Sequence, residues 1–371
     1  MIAVVTALAF AAAMSCQRRP LYYMEGSGVK VIVKVIWKVE VYPDGVKPSG
    51  ITLFFFRNGK YYMQETTANV DSCAVQLEPG HYQLYMITQS PDEYGKMVFN
   101  NLVDFADASV SVVETELETK WYTRASEDEN LIDNPEVMSA GVAEEFDVTI
   151  DDVVNYQYYQ KNAKQRINAL RLNTKADGDI EDDEELSELN EMIKYYTIRV
   201  PVNPRSIVSQ YWVTIYSDNV DVLRSIRACT SGMARSYLLT QDKTDADEGT
   251  QFITEWSLTI DDPVTRVGHL DGRITTFGFP NGELPDPLRD STLNVAALLV
   301  DNKTIDKYVF NVGDKITAEE PPLGYRSLYR LILGSVTEPV MHPEDVPIEG
   351  ASGFDASVED WEYGGAVDIP L

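Results

Sequence analysis

Apolar residues recur at every second position through much of this chain. In VKVIVKVIWKVEV, Val29, Val31, Val33, Val35, Trp37, Val39 and Val41 share one parity, and Lys30, Lys34, Lys38 and Glu40 share the other. A helix would scatter those charges round its circumference, whereas a strand gathers them on one face, so the segment predicts a strand over 29–41. Pro43-Asp44-Gly45 ends it. In ITLFFFRNGKYYMQE, Asn58-Gly59 separates two aromatic runs. Both residue types tolerate positive φ, which predicts a type I′ hairpin. Cys73–Leu77 and His81–Thr88 flank Glu78-Pro79-Gly80, and shorter strands are expected at Val110–Leu117 and Phe146–Ile150.

The pattern changes between 151 and 192. Tyr156–Leu172 is polar, long-chained and expected to be partly helical. DGDIEDDEELSELNEMI then sets acids ahead of Leu186, Leu189 and Ile193, the spacing of a short amphipathic helix whose acidic first turn suits the helix dipole. A calcium loop is the sharper reading, but the ligand register and glycine placement of an EF-hand are missing, and a solvated helix start is expected. DKTDADEG around Asp242 is read in the same way. Strand patterns resume at YYTIRVPV, IVSQYWVTIY, RSIRACTSG and MARSYLLT. They continue as one alternating strand through Phe252, Thr254, Trp256, Leu258 and Ile260, then through 266–279, 293–300, 304–310 and 326–333. LNVAALLV reads as a strand covered on both faces. The tail closes on Val367, Ile369 and Leu371, alternating with Asp368 and Pro370.

With 371 residues, about 150 per domain gives two domains. The many short strands with Pro and Gly between them indicate sandwiches. The expected organisation is all-β, with a sandwich over 29–150, a partly helical acidic insert over 151–192 and a second sandwich over 193–371. A formal charge of −28 argues against nucleic acid, whose affinity is built from Lys and Arg, and against direct adhesion to anionic lipid. A hydrophobic share of 44% excludes a disordered acidic chain.

MIAVVTALAFAAAMS, residues 1–15, carries no charge and is too short to span a bilayer, which needs about 20 residues. It fits the apolar region of a secretion signal, followed by small residues and Cys16. Small residues before a cysteine resemble a bacterial lipobox, which makes Cys16 the expected acylation site and 16–28 a lipidated tether. An ordinary cleaved signal peptide is the alternative. Cys73 and Cys229 belong to no CxxC pair and sit in apolar strand contexts, where buried free thiols are expected.

No nucleotide-binding, zinc-protease or serine-hydrolase motif is present. His81, His269 and His342 are isolated in the sequence and read as surface or strand histidines. No carboxylate pair is singled out for glycoside hydrolysis. Neither a catalytic site, a cofactor nor a metal is expected.

Several segments together resemble the fimbrial anchor and fimbrillin-like lipoproteins of Bacteroidetes, the type V pilus family. They are VQLEPGHYQLYMI (75–87), TSGMARSYLLT (230–240), HLDGRITTFGFP (269–280), FDASVEDWE (354–362) and the final alternating strand. The resemblance implies two transthyretin-like β-sandwich domains in tandem, acylation at Cys16 and an outer-membrane location. It further implies other fimbrial subunits as partners, joined by strand exchange. Val367, Ile369 and Leu371 are then a candidate exchange segment, or else an ordinary edge strand, with Pro370 limiting where pairing can occur. Gln17-Arg18-Arg19-Pro20 follows Cys16 where surface-exported relatives commonly carry acids, so the membrane face stays open. Stalk subunits of the family are cleaved after a basic residue; Arg124 reads as an ordinary surface arginine. The expected function is a non-enzymatic component or anchor of a fimbria. The alternative is a glycan-binding lipoprotein of a polysaccharide-uptake system, using Trp121 or Trp361.

Overall fold

Val29, Val31, Val33 and Val35 are all buried, as their shared parity predicts. They form β1 (Val29–Val35) in a computed structural model that describes residues 23–38, 47–115, 130–173, 183–253, 255–284 and 291–346. β1 is the middle strand of a three-stranded sheet. It runs antiparallel to β4 (Ser72–Leu77) and parallel to β11 (Ile198–Val202), which follows the helical region. The Asn58-Gly59 hairpin joins β2 (Ile51–Arg57) to β3 (Lys60–Thr67), with φ of 52° and 75° at the two turn residues.

β2 and β3 belong to a second sheet with β5 (Gly80–Thr88), β9 (Ser139–Val142), β10 (Phe146–Val148) and β12 (Arg205–Ser206). The run ITLFFF is buried at all six positions, so this sheet is apolar on both faces. Ile51, Leu53, Phe55, Tyr82, Leu84 and Met86 pack towards the β1 sheet. Phe54, Phe56, Tyr85 and Ile87 pack the other way. There they meet a third layer of β6 (Met97–Asn100), β7 (Ser109–Val112), β15 (Ser236–Leu238) and β16 (Lys243–Thr244).

That third layer mixes strands from both halves of the chain. β15 pairs with β7, β11 with β1, β12 with β9, and β17 (Glu248–Ile253) with β8 (Leu131–Ile132). The expected division after residue 192 is therefore crossed by four strand pairings among the described residues. The reason is the twofold apolar sheet: two faces need two covers, and each cover takes strands from beyond residue 192.

The rest of the second half is two sheets packed face to face. One has the order β18 (Trp256–Asp262), β19 (Val267–Thr276), β13 (Ser209–Ser217), β23 (Leu328–Leu333), β22 (Ile316–Glu319). The other runs β21 (Ile305–Asn311), β20 (Thr292–Leu299), β14 (Leu223–Ala234), β17, β8. Leu293–Ala297 on β20 are all buried, as LNVAALLV predicts. RSIRACTSG and MARSYLLT differ from expectation: residues 223–234 make one strand, with a bulge between Thr230 and Met233 where Gly232 takes φ +74°. The alternation through 252–260 also divides. β17 ends at Ile253 and β18 opens at Trp256 in the facing sheet, with Trp256 Nε1 donating to the Ile253 carbonyl at 2.8 Å. Alternation fixes which way side chains point, and a crossing between facing sheets leaves it intact.

The helices are α1 (Ile150–Asn173) and α2 (Glu184–Tyr195). Val153 and Tyr156 bury α1 against the β1 sheet. Asp183 caps α2, accepting from Leu186 N at 2.8 Å and from both Arg166 Nε (3.0 Å) and Nη2 (2.7 Å). The Arg166 bond first, then the cap, holds the Asp183 carboxyl below its ordinary pKa. Cys73 and Cys229 are buried and, among the described residues, neither is in a disulfide; burial pushes the Cys73 thiol to about 11.

Phe56 sits among Tyr61, Tyr85 and Phe105, at centroid separations of 6.0, 5.8 and 5.4 Å. Phe56→Ala is expected to cost about 3–5 kcal/mol. Because the wider apolar cluster around Phe56 also holds Ile207, Val208, Ala234, Tyr237, Leu239 and Phe277 of the second half, urea unfolding should shift as a single transition; a shift confined to one of two separate transitions contradicts the shared core.

Candidate functional site

The residues chosen from the sequence alone, Cys16, Val367, Ile369 and Leu371, lie outside the described residues, as do Trp121, Trp361 and Arg124. What the described chain fixes is where its two ends lie and which strand edge stands beside one of them.

Tyr23 packs on the core under the β1 sheet, and Gln157 of α1 holds the Gly28 carbonyl at 2.7 Å. β1 and β11 run parallel from this end towards the junction with the second half. The turn 78–80 lies at the same end. A Cβ at Gly80 would stand 2.8 Å from Arg57 Nε, so the Arg57 side chain, which donates to the Pro79 carbonyl at 3.0 Å, would have to shift. Arg57 pairs with Glu78 at 2.7 Å, and the buried Tyr82 hydroxyl donates to the Glu78 carbonyl at 2.8 Å. This explains the Pro-Gly-x-Tyr order of the family-like segment. Beside it, His81 faces Asp147 at 2.9 Å and Glu145 at 3.2 Å.

β13 starts at the junction and runs away from it to Ser217, which bridges to Met341. At this far end Arg266 Nε meets Asp221 at 2.7 Å and Arg266 Nη2 meets Asp345 at 3.1 Å. Both hydrogen bonds raise the Arg266 pKa. His342 meets Asp218 at 2.6 Å. Asp345 thus fastens the end of the described chain to the turn between β18 and β19. Entry and exit lie at the two ends remote from the junction.

β18 is the edge strand at that exit. It pairs with β19 on one side and with no described strand on the other. Leu258 and Ile260 share the parity of Trp256 and pair with Leu270 and Gly268, so they lie on the face that β19 buries. Being at the edge, they stay 41% and 48% exposed. Gly272 leaves room for Trp256 and Ile253, whose atoms lie 2.9 and 2.7 Å from where a Cβ would stand. The result is a row of open backbone groups beside an apolar row, the requirements for adding a strand.

All three histidines, isolated in sequence, have carboxylate partners in space. His269 Nδ1 meets Asp261 at 2.7 Å across β18 and β19. Asp242, expected in a solvated acidic loop, instead holds Arg326 at 2.7 Å and accepts from the Tyr237 hydroxyl at 2.8 Å. Sequence reasoning missed these because every partner but Asp242's tyrosine is brought in by a different strand or turn. Among the described residues no group of His, Cys, Asp and Glu is arranged to hold a metal.

A family model described as a domain of unknown function (DUF5119) matches residues 15–254. No curated protein matches significantly. Among solved structures, a putative adhesin from Bacteroides ovatus is 12% identical with a TM-score of 0.51, covering 89% of this chain and 98% of that one. The fimbrial anchor protein Mfa2 from Porphyromonas gingivalis is 11% identical with a TM-score of 0.42, covering 82% and 90%. Putative polysaccharide binding proteins (DUF1812) from Bacteroides thetaiotaomicron are 11% identical with a TM-score of 0.43, covering 84% and 93%. The structural neighbours include a fimbrial anchor, a putative adhesin and putative polysaccharide binding proteins, in line with the resemblance read in the sequence. At these identities the likeness is one of fold, carried by the B. ovatus protein.

The Asp147 hydrogen bond, followed by that of Glu145, raises the His81 pKa. A raised folded value gives stability that is complete below the ordinary imidazole pKa of about 6.5 and lost as pH climbs through the folded one. His81→Gln should therefore lower thermal stability at pH 5.5 and leave it unchanged at pH 9. Added salt should shrink the difference, because the pair is exposed.

Proposed function

Since the chain belongs to the DUF5119 family, we propose from its own architecture that it is a non-enzymatic component or anchor of a cell-surface fimbria. An acyl group on Cys16 tethers it to the outer membrane, and strand exchange joins it to other fimbrial subunits. Its two sandwiches are transthyretin-like. The first runs over 29–150 and the second over 193–371, with the helical insert 151–192 between them and β11, β12, β15 and β16 reaching back to the first.

The observation that carries this reading is the placement of the two ends. From Cys16 to Tyr23 the chain reaches at most about 25 Å, so the first half stands close to the tether. The open edge of β18 and the exit at Val346 then lie at the far end of the second half, away from the bilayer. That is the polarity a subunit needs when it is held at one end and joined at the other. Backbone pairing supplies affinity along the edge, and the exposed Leu258 and Ile260 supply apolar contact for alternate side chains. The fold shared with the B. ovatus putative adhesin supports the same reading by analogy.

Two experiments test the two parts separately. Cys16→Ala should move the protein from the membrane fraction to the soluble fraction of the cell envelope; retention in the membrane overturns the lipid tether. Leu258→Lys with Ile260→Lys places inward-facing charge on the edge. It should cut co-purification of fimbrial subunits about tenfold while the melting temperature moves little, both positions being exposed. Unchanged co-purification removes β18 from the assembly.

A further inference from the structure

A cleft of about 480 Å³ opens where a loop of the first half lies against the β13–β19 sheet. That volume falls within the range of small-molecule sites, about 300–1,000 Å³. One wall is the loop after β8, and it is held fast. Thr275 donates to the Pro135 carbonyl at 2.7 Å, Gln251 Nε2 donates to the Asp133 carbonyl at 3.1 Å, and Asn134 Nδ2 donates to the Phe252 carbonyl at 3.3 Å. Glu136 accepts from Lys96 N at 2.9 Å, and Lys96 Nζ reaches Asp133 at 3.2 Å. The wall is therefore built before any ligand arrives.

The facing wall is organised by Trp212. Its ring lies 4.4 Å beneath the Arg273 guanidinium, and the Arg330 guanidinium stands 5.8 Å from the same ring. Its indole N–H donates to Gln210 Oε1 at 2.8 Å. The ring holds the guanidinium in place by cation–π attraction without consuming its N–H donors. The indole consumes only the oxygen of Gln210, leaving that amide's two N–H donors for the cleft. Glu255, exposed at the start of β18, adds an acceptor to the same lining.

The charges on this lining cancel. Lys96 and Arg273 stand against Glu136 and Glu255, in a chain whose formal charge is −28. A neutral cleft offers a charged ligand little, but donors held by Trp212, with the Glu255 carboxylate as acceptor in the same lining, match a ring bearing vicinal hydroxyls. We propose that this cleft is a binding site for a neutral saccharide. Arg273 and Gln210 donate to the sugar oxygens, and the Glu255 carboxylate accepts from its hydroxyls. Trp212 is a positioning residue that fixes both donors.

The full chain, with 15N-labelled tryptophan, shows five indole signals, and Trp212→Phe identifies the one beside the cleft. Maltopentaose, mannopentaose and a tetrameric N-acetyllactosamine are titrated to millimolar concentration, with polygalacturonate and poly-glutamate as acidic arms. At least one neutral oligosaccharide should bind saturably and shift the Trp212 indole signal. Arg273→Gln and Glu255→Gln should each weaken it about tenfold or more. Both side chains are exposed, so unchanged thermal unfolding separates lost binding from lost structure. The proposal is overturned if no neutral oligosaccharide binds saturably, or if binding ignores both substitutions. It is equally overturned if only the acidic polymers bind, since the cleft is then an anion patch. Neither Cys16→Ala nor the β18 substitutions touch this cleft, so its failure and that of the fimbrial reading are distinguishable.

Discussion

Burial of one sheet on both faces is the constraint from which the rest of the structure follows. β2 and β5 present Leu53, Phe55, Leu84 and Met86 to one side and Phe54, Phe56, Tyr85 and Ile87 to the other. A half-buried sheet can close one sandwich with local strands; a sheet apolar on both faces needs two covers. The first cover takes β11 and the second takes β15 and β16, all from beyond the helical region. The two halves are consequently joined by shared hydrogen-bond ladders and a shared aromatic core, where a flexible linker would otherwise suffice. In the proposed role, held at one end and joined at the other, that junction would transmit force through ladders.

The same closure fixes the surface features that bear on function. Because β11 leads into the junction and β13 leads out of it, the ends remote from the junction carry the entry at Tyr23 and the exit at Val346. Because the loop after β8 must pass over the start of β13, it stands up as a wall and makes the cleft at Arg273. The acid excess is likewise less diffuse than composition suggests. Asp242 binds Arg326, Asp183 binds Arg166, and Asp221 and Asp345 share Arg266. Each of these carboxylates fastens one segment of chain to another.

Local features were legible in the sequence because their causes are local. The parity of Val29–Val35, the Asn58-Gly59 turn, the cap of α2 and the two buried thiols each depend on a few neighbouring residues. Partners were not legible. Period 2 says which residues share a face and is silent on which strand lies alongside. The same alternation therefore ran through 252–260 although Ile253 ends a strand of one sheet and Trp256 opens a strand of the facing one. The run ITLFFF did carry the signal for a doubly covered sheet, as LNVAALLV did, but nothing in it named strands more than a hundred residues away. Histidine partners and the Arg273 cleft belong to the same class, since Trp212, Arg273 and Pro135 come from three separate stretches. Cys16 and the Val367–Leu371 strand rest on sequence and family resemblance alone.

The choice of β18 as the joining edge follows from how the other described edges are guarded. Natural edges are blunted by shortness, charge, proline or bulges. β12 and β16 are two residues long, and β6 and β22 are four. β11 carries Arg199 and Pro201, β3 carries Lys60 and Glu65 with a bulge opposite Phe55 and Phe56, and β21 carries Asp306 and Lys307. β4 is uncharged, but its apolar side chains Cys73, Val75 and Leu77 are already buried, so an added strand would gain backbone bonds and no apolar contact. β18 alone among these combines an uncharged run, Ser257–Ile260, with apolar side chains left open on the buried face of its sheet. Its charges, Asp261 and Asp262, come only at its end, where Asp261 is engaged by His269. An edge so unguarded in a strand-rich protein is an aggregation hazard unless something covers it, and a strand supplied by a neighbour covers it in the geometry the sheet already has.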